Sequence, residues 1–481
     1  MRVTLHDYRS DPSLMQKDGV NLAHENIATL LRSTNCADLD VDFHDFNRLL
    51  RDATYARRVL SDADCVVSNV GPHAHYYFFL REQYGLDFRI VRDVRTAIWS
   101  SYLHQEHLLQ PFLRGFDVLM VASNFTRGIY EKMFPHLRRF RTIICYPLTI
   151  AFPKELQRRR SPGQDDDSFT LGYIGRLSND KNFPDIIELL ICLNQRRDRR
   201  YRLLACGDIH SPGCHPEIVR SRLRRTLGDD SYFEYLSAQK NSDIWKIYNR
   251  FDAMVFPSTS NLETLGRVLI EASYAGVPVI CGEHAAAPEL MPESSLCRVV
   301  YAQNKRFCCH SDHALGRISI PDMVRALTGG SLASPVCHIE YQSHPARFLQ
   351  ELLQGKKLPK RADTPVNLTS HQENFIERIA IDLPKPLERT EADALIAASI
   401  PWFLGLQSRD EGQRRQWLDR LLRISKRLER TQRFIRKTAS TKGDFTDVGG
   451  IDIELCHVTG FYPHFHIGEN RSSLYPEVVA G

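Results

Sequence analysis

Two glutamates, Glu263 and Glu271, stand where an apolar, strand-like stretch gives way to an amphipathic one. The pattern predicts a helix that begins near Thr264 or Leu265, with Glu263 just ahead of it and Glu271 about two turns inside. Roughly 10 Å of axial rise would then separate the carboxylates, which could accept hydrogen bonds from different hydroxyls of one extended polyhydroxy ligand. Two simpler interpretations stay open: Glu263 caps the helix, and Glu271 lies on a solvated face.

Basic residues and glycines accompany the two glutamates. Gly266 opens the predicted helix and lets the backbone approach an anion, which the free N–H groups of a helix start favour. Arg176 follows another strand-like stretch, and Lys181 comes five residues later, so both are cationic donors for a diphosphate. Further candidates at strand ends are Gly175, Gly207 and Asp208. The combination predicts a nucleotide-sugar site.

Two α/β units are predicted to position these residues. In the first, β-branched runs such as RVTLHDY and FRIVRDV alternate with amphipathic ones such as VNLAHENIATLLR. The charged stretch LQRRRSPGQDDDS (156–168) has the composition of a linker. The alternation then restarts with FTLGYIG, YRLLACG, DAMVFPS, VPVICGE and LCRVVY. We expect two doubly wound parallel sheets, with a cleft between the carboxyl ends of their strands.

The stretches YIGRLSNDKN and FPSTSNLETLGRVLIEASYAGVPVI resemble the two signature stretches of the large retaining "glycosyl transferases group 1" family of GT-B glycosyltransferases. The resemblance is specific over residues 168–300 and much weaker over 1–160. It implies an α/β GT-B fold, in which two Rossmann-like domains face each other across a cleft. The implied division is an acceptor-side domain (1–160), a nucleotide-sugar domain (161–330), and a crossing segment with a mainly helical C-terminal extension (331–481).

The resemblance also implies roles for the donor-site residues. Arg176 and Lys181 would bind the donor diphosphate, Glu263 the sugar hydroxyls and Glu271 the ribose, with Glu263, Arg176 and Lys181 carrying the catalysis. Thr264 and Leu265, which stand where Gly and Phe are most usual in the family, are also donor-binding candidates, because backbone amides make the phosphate contact there. The implied reaction is metal-independent transfer of a sugar, a hexose by expectation, from a UDP- or GDP-sugar with retention of configuration. No cofactor is expected, and the acceptor, a glycan or a lipid-linked glycan, is not identified.

The first domain departs further from the family. It keeps only Gly19 where a glycine-rich loop is common, and Asp93, Arg95 and Thr96 stand where a histidine commonly ends the fourth strand. Gly19, Asp93 and Arg95 are the acceptor-side candidates. Because the usual histidine is missing, two alternatives stay open: a nucleotide-sugar epimerase or hydrolase on the same fold, or a non-catalytic protein that binds sugar nucleotides or polyanions.

Composition sets the expected compartment and excludes some classes. The chain has 481 residues, a formal net charge of +5 and twelve cysteines. The cysteines form no CxxC pair, and the histidine pairs (His73 with His75, His104 with His107, His464 with His466) lie in no metal-binding framework, so no metal is expected. Without an apolar run of eighteen residues or a signal-peptide pattern, we expect a cytoplasmic protein.

Residues 414–442 form the second concentration of positive charge, after 127–160. They hold eleven Lys or Arg and an apolar stripe at helical spacing that includes Trp417 and Leu421. A basic amphipathic helix of this kind either docks on the protein body or binds an anionic surface, including the inner face of a membrane. Oligomeric state is not predictable from the sequence.

Overall fold

The computed structural model describes residues 1–8, 19–70, 74–95, 105–106, 109–144, 168–239, 243–302, 314–329, 344–353 and 368–378. Several predictions lie outside these residues. They concern the linker up to residue 167, His73, His104, His107, His464, His466, and the basic helix and extension beyond 380.

The first six strands form one parallel sheet, in the order β2-β1-β3-β4-β5-β6. Its strands are β1 (Arg2–His6), β2 (Asp40–His44), β3 (Cys65–Ser68), β4 (Arg89–Val94), β5 (Val118–Val121) and β6 (Arg141–Ile144). Its helices are α1 (Gly19–Ser33), α2 (Phe46–Arg51), α3 (Ala53–Ser61), α4 (His75–Gln83) and α5 (Asn124–Met133). The strand order reverses between β1 and β3, which is the switch point of a doubly wound sheet.

Burial on both faces explains why the central strands are continuous apolar runs. Every residue of β3 and β5 is buried, as expected of parallel strands covered by helices. One face packs on α1 through Ile27 and Leu31, and on a later helix, α12 (His344–Leu353), through Phe348 and Leu352. The chain therefore returns from the second domain to cover the first sheet.

The second sheet has six parallel strands in the order β12-β11-β10-β7-β8-β9. Its strands are β7 (Ser168–Ile174), β8 (Arg200–Cys206), β9 (Phe233–Leu236), β10 (Ala253–Phe256), β11 (Val279–Gly282) and β12 (Leu296–Cys297). Its helices are α6 (Phe183–Gln195), α7 (Pro216–Leu227), α8 (Ile244–Tyr248), α9 (Arg267–Tyr274), α10 (Ala287–Leu290) and α11 (Ile320–Thr328). The prediction of two doubly wound α/β sheets is confirmed.

One predicted strand is wrong. The run LCRVVY is not continuous, because it divides at the exposed Arg298. Its first part, β12, pairs parallel with β11. Its second part, β13 (Val299–Tyr301), pairs antiparallel with β14 (Gly316–Ile318) in a separate ribbon. The pairing partner that redirects the chain is distant in sequence, so the apolar pattern alone could not locate the break.

The last helix within the described residues, α13 (Ser370–Arg378), bridges the two domains. It packs on α5 at Gly128, where an added Cβ would lie 2.8 Å from Cδ1 of Ile376, so a larger residue would require the Ile376 side chain to shift. Phe375 stacks on Phe125 of the first domain and lies 4.8 Å, between ring centroids, from Tyr301 of the second. In the described part of the chain, no helix is both long enough and apolar enough to cross a bilayer.

Candidate functional site

Two glycines shape the carboxyl ends of β7 and β8. Gly175 has φ +148° and Gly207 has φ +153°, values that side chains rarely adopt. An added Cβ on Gly207 would lie 1.9 Å from the carbonyl oxygen of Gly175. The two strand ends therefore touch backbone to backbone, a contact that requires glycine at 207, while Gly175 is favoured by its positive φ. Asp208, the next residue, is exposed.

The two basic candidates of the donor site each meet a carboxylate. Arg176 donates from Nη2 to Asp180 at 3.1 Å, with a third of its side chain exposed. Lys181 donates from Nζ to Oε2 of Glu263 at 2.6 Å, which joins the end of β7 to the loop after β10. The sequence predicted both cations at this edge, and the structure brings Lys181 and Glu263 together across 82 residues of chain.

Glu263 is held in its charged form. Burial raises the pKa of this carboxyl, but the Lys181 ammonium and the Ser258 hydroxyl outweigh burial, so that the pKa lies below its usual value. Ser258 Oγ donates to the same oxygen, Oε2, at 3.1 Å. The side chain is therefore an anionic hydrogen-bond acceptor at the cleft edge and not a cap of the following helix.

Asn182 and His284 hold the loop that carries Glu263. The side-chain nitrogen of Asn182 lies 3.0 Å from Pro257 O and 2.9 Å from Thr259 Oγ1. His284 is buried between Ser260 O and the hydroxyl of Tyr301, each 3.0 Å from a ring nitrogen. Burial lowers the pKa of His284 to about 4, so the imidazole is neutral near pH 7.

The helix that carries Glu271 begins later than predicted. It begins at Arg267, and Gly266 precedes it in the left-handed region at φ +74°. The prediction of a start near Thr264 or Leu265 is therefore wrong, because the left-handed turn at Gly266 interrupts the backbone ahead of the helix. Glu271 is the fifth residue of α9, which puts it about one turn inside instead of two.

Glu271 is buried and paired. Its Oε1 accepts from Arg267 Nε at 2.6 Å, and its Oε2 accepts from Tyr248 Oη at 3.0 Å. The interpretation of a solvated glutamate is thus wrong. A ribose hydroxyl would have to bind alongside these two donors or replace one of them.

The side chains of Thr264 and Leu265 make contacts within the protein, which argues against their binding a small molecule. Leu265 is 3% exposed and packs in the core of the second domain. Thr264 donates from Oγ1 to the carbonyl oxygen of Arg95 in the first domain, at 3.0 Å. Only the backbone of this pair is left to approach a phosphate.

The acceptor-side candidates include a buried polar cluster. Asp93, the fifth residue of β4, contacts His24 Nδ1 at 2.7 Å through Oδ2 and Arg95 Nε at 2.6 Å through Oδ1. Gly19 is the first residue of α1, the helix that carries His24. His24 has no signal in the sequence, because a lone histidine in an amphipathic helix has no distinguishing pattern. Asn182 and His284 were missed because each lies outside a helix or strand, with no spacing that marks it.

The cluster at the second sheet offers two cations and one buried carboxylate to a ligand, and no evident metal site. Within the part of the chain that the structure describes, no three His, Cys, Asp or Glu side chains come together as metal ligands. Lys181 carries three N–H donors, of which Glu263 takes one. The remaining donors and the Arg176 guanidinium suit phosphate oxygens.

Two Rossmann-like sheets with their helices, joined by a returning C-terminal segment, define the GT-B class of α/β protein. Within this fold, residues 154–306 match the family model described as "Glycosyl transferases group 1". The matched residues cover most of the second domain and include the two stretches that resemble this family.

Curated relatives match over a limited length. A D-inositol 3-phosphate glycosyltransferase of Segniliparus rotundus is 29% identical over 130 residues, which are 27% of this chain and 28% of that protein. An uncharacterized glycosyltransferase of Methanocaldococcus jannaschii is 23% identical over 159 residues, 33% of this chain and 38% of the relative. The chain thus matches well under half the length of each.

Solved structures overlap more of the chain at lower identity. The lipopolysaccharide outer core galactosyltransferase WaaB, in its apo form, is 15% identical with a TM-score of 0.46, covering 79% of this chain and 99% of WaaB. HepE of Anabaena, in complex with UDP and glucose, is 16% identical with a TM-score of 0.43, covering 62% and 86%.

Proposed function

We propose that the protein is a glycosyltransferase that moves a sugar, a hexose by expectation, from a UDP- or GDP-sugar to a hydroxyl acceptor with retention of configuration. The observation that carries the proposal is the Lys181–Glu263 pair, which lies at the carboxyl ends of β7 and β10 beside Arg176. A cation for the diphosphate and an anion for sugar hydroxyls are thereby adjacent. The match of residues 154–306 to the group 1 family supports the same assignment.

In the proposed reaction, the bond between the sugar and the diphosphate breaks, and the diphosphate leaves with the electron pair. The oxygen of the acceptor hydroxyl forms the new bond to the same sugar carbon, and its proton passes to an oxygen of the leaving diphosphate. Lys181 and Arg176 stabilise the charge that develops on the leaving oxygens, so no metal ion is needed in this proposal. Glu263 accepts a hydrogen bond from the sugar through Oε1, while Lys181 and Ser258 hold its Oε2. Because Lys181 and Ser258 hold it in place, the carboxylate of Glu263 does not have to reorganise during transfer.

The alternatives predict different products from the same donor. A hydrolase releases free sugar, an epimerase returns a changed sugar nucleotide, and a binding protein leaves the donor intact. The test is to incubate the purified protein with UDP- and GDP-hexoses and hexosamines, with and without glycan and lipid-linked acceptors. Nucleoside diphosphate release that depends on an acceptor supports transfer, and NMR of the product reports its anomeric configuration.

Metal independence and the role of Lys181 are tested on the same preparation. Activity should persist in excess EDTA, and a requirement for manganese or magnesium, restored by adding the ion back, contradicts the metal-free proposal.

Lys181→Met should weaken binding of UDP or GDP by about tenfold or more, and leave binding of uridine or guanosine unchanged. The matched control is Lys246→Met on α8, whose side chain is 74% exposed and pairs with Asp243, three residues earlier in the chain. Equal diphosphate affinity in both variants contradicts the assignment of Lys181.

A further inference from the structure

We infer that Thr264 is a positioning residue that couples the donor loop, residues 257–266 between β10 and α9, to the first domain and so sets the position of Glu263 during transfer. The inference rests on the proposed function and assigns a role to a side chain that is not expected to touch the donor.

The hydroxyl and the carbonyl oxygen of Thr264 are both bound to the first domain. Its Oγ1 donates to the carbonyl oxygen of Arg95 at 3.0 Å, and its carbonyl oxygen accepts from Ser123 Oγ at 3.2 Å. Thr264 is 7% exposed, and both bonds are buried. A buried hydrogen bond cannot be exchanged for one to water, so separating the domains here leaves these groups unpaired.

The first-domain partners are themselves fixed. Arg95 directly follows β4, and its guanidinium contacts the buried Asp93 at 2.6 Å. Asp93 in turn contacts His24 of α1 at 2.7 Å. Ser123 caps α5, because its Oγ accepts from Thr126 N at 3.1 Å. Two elements of the first domain therefore hold Thr264 through groups that cannot shift independently.

On the second-domain side, Thr264 has little freedom to move without Glu263. Glu263 is the preceding residue, Leu265 is anchored in the core, and Gly266 makes the left-handed turn into α9. A displacement at Thr264 is consequently transmitted to the carboxylate that pairs with Lys181. Through Thr264, the first domain thus helps to fix the position of Glu263, the residue expected to contact the sugar.

Threonine at position 264 departs from the pattern of the resembled family. Glycine, the usual residue at this position in the resembled family, has no hydroxyl to donate to Arg95. The side-chain bond between the domains is therefore an addition, and removing the hydroxyl alone tests it. Valine has nearly the same shape as threonine and lacks only the donor, whereas serine keeps the donor and lacks the methyl group.

The experiment measures steady-state transfer with the donor identified above, together with calorimetric binding of UDP or GDP, for Thr264→Val and Thr264→Ser. Thr264→Val should lower kcat about tenfold, since a buried acceptor is left unpaired, and should leave nucleoside diphosphate affinity within about twofold. Thr264→Ser should retain kcat within about threefold of the wild type. Should Thr264→Val fail to fold, the smaller Thr264→Ala replaces it with the same expectation.

The matched control is Thr328→Val on α11, where Oγ1 donates to the carbonyl oxygen of Val324 at 2.9 Å within one helix. It loses one hydrogen bond of the same kind and should keep full kcat. A Thr264→Val enzyme with wild-type kcat, or with a loss that merely follows its diphosphate affinity, overturns the inference while the proposed function stands. A wild-type protein that binds neither diphosphate and transfers no sugar overturns both.

Discussion

Two side chains at the donor loop, Glu263 and His284, differ in charge state, and each has a different physical cause. Glu263 stays anionic because Lys181 and Ser258 more than compensate its burial, and its pKa lies below the usual value. His284 stays neutral because burial dominates over its neighbours and lowers its pKa to about 4. The loop thus carries a single buried negative charge, matched by one ammonium, and acid disturbs it through the histidine as well as the carboxylate.

Acid sensitivity through His284 is the prediction at this scale. An unfolded histidine titrates near 6.5, so between pH 6.5 and about 4 the unfolded chain binds more protons than the folded one. The contribution of His284 to stability is therefore present above pH 6.5 and is lost as the pH falls through this window, by about 2 kcal/mol between pH 7 and pH 5. Glutamine cannot titrate, so the His284→Gln variant should lose correspondingly less unfolding free energy than the wild type between pH 7 and pH 5. Urea unfolding at the two pH values measures the difference.

The control for this measurement is His215→Gln, since His215 is exposed at the start of α7. That variant should retain the wild-type dependence of unfolding free energy on pH. If His284→Gln and His215→Gln lose equal stability between pH 7 and pH 5, the buried imidazole is not a source of acid sensitivity.

Single residues also show where sequence reasoning ends. Arg176, Lys181 and Glu263 were predicted as a group because each follows an apolar run at a strand end. The partners of Glu271 were not predicted, since Tyr248 lies 23 residues away on another helix. Asn182 and His284 act through contacts that have no spacing in the sequence, so only the folded chain reveals them.

Among the elements, buried strands were the easiest to predict and the shorter or more polar elements the hardest. Runs such as CVV in β3 and AMVF in β10 are apolar throughout because helices cover both faces of a parallel sheet. The helix α4 was missed because HYYFFLREQ is aromatic and nearly all buried, with no amphipathic period. The predicted start of α9 was two to three residues too early, because the pattern of apolar residues does not reveal that Gly266 adopts a left-handed conformation.

Gly266 provides the prediction at the scale of elements. Its φ of +74° is unfavourable for alanine, and the added Cβ would lie 3.0 Å from Leu269 Cδ1. Gly266→Ala should lower the free energy of unfolding by about 1–2 kcal/mol and reduce transfer sharply, because the turn joins Glu263 to α9. Thermal unfolding and steady-state kinetics of the same preparation give the two quantities.

Gly228 is the matched control for this substitution. It ends α7 at φ +81°, and nothing lies within 4 Å of an added Cβ. Gly228→Ala should therefore lose a similar stability from the backbone and keep wild-type kcat. Equal activity in the two alanine variants would contradict a specific role for the turn at Gly266.

At the scale of the whole molecule, the contacts between the two domains could not be predicted from the sequence. The GT-B class could be predicted from two alternating α/β units, but the contacts between them involve residues far apart in the chain. Thr264 and Ser123 are 141 residues apart, and α13 meets both domains after a further hundred residues. Such pairings depend on how two finished domains meet, so no local pattern encodes them.

The strongest of these contacts, by its geometry, is made by Glu289 of α10. Its carboxylate accepts from the backbone N–H groups of Asn124 at 2.8 Å and Phe125 at 2.9 Å, which are the first two of α5. Gln372 of α13 donates to the same carboxylate at 3.2 Å. A negative charge at a helix start is stabilised by the free N–H groups and the helix dipole. One side chain thus fastens the second domain and α13 to the first.

Removing that carboxylate should loosen the two domains. Glu289→Ala leaves two buried N–H groups unpaired and should lower the free energy of unfolding by about 2 kcal/mol, whereas Glu289→Gln keeps one acceptor oxygen and should lose less. Small-angle scattering should show a larger radius of gyration for Glu289→Ala than for the wild type. The control is Glu293→Ala, which removes an exposed carboxylate four residues further along the chain, beyond the end of α10. A Glu289→Ala protein as stable and compact as this control would mean that the domains are held by their apolar contacts alone.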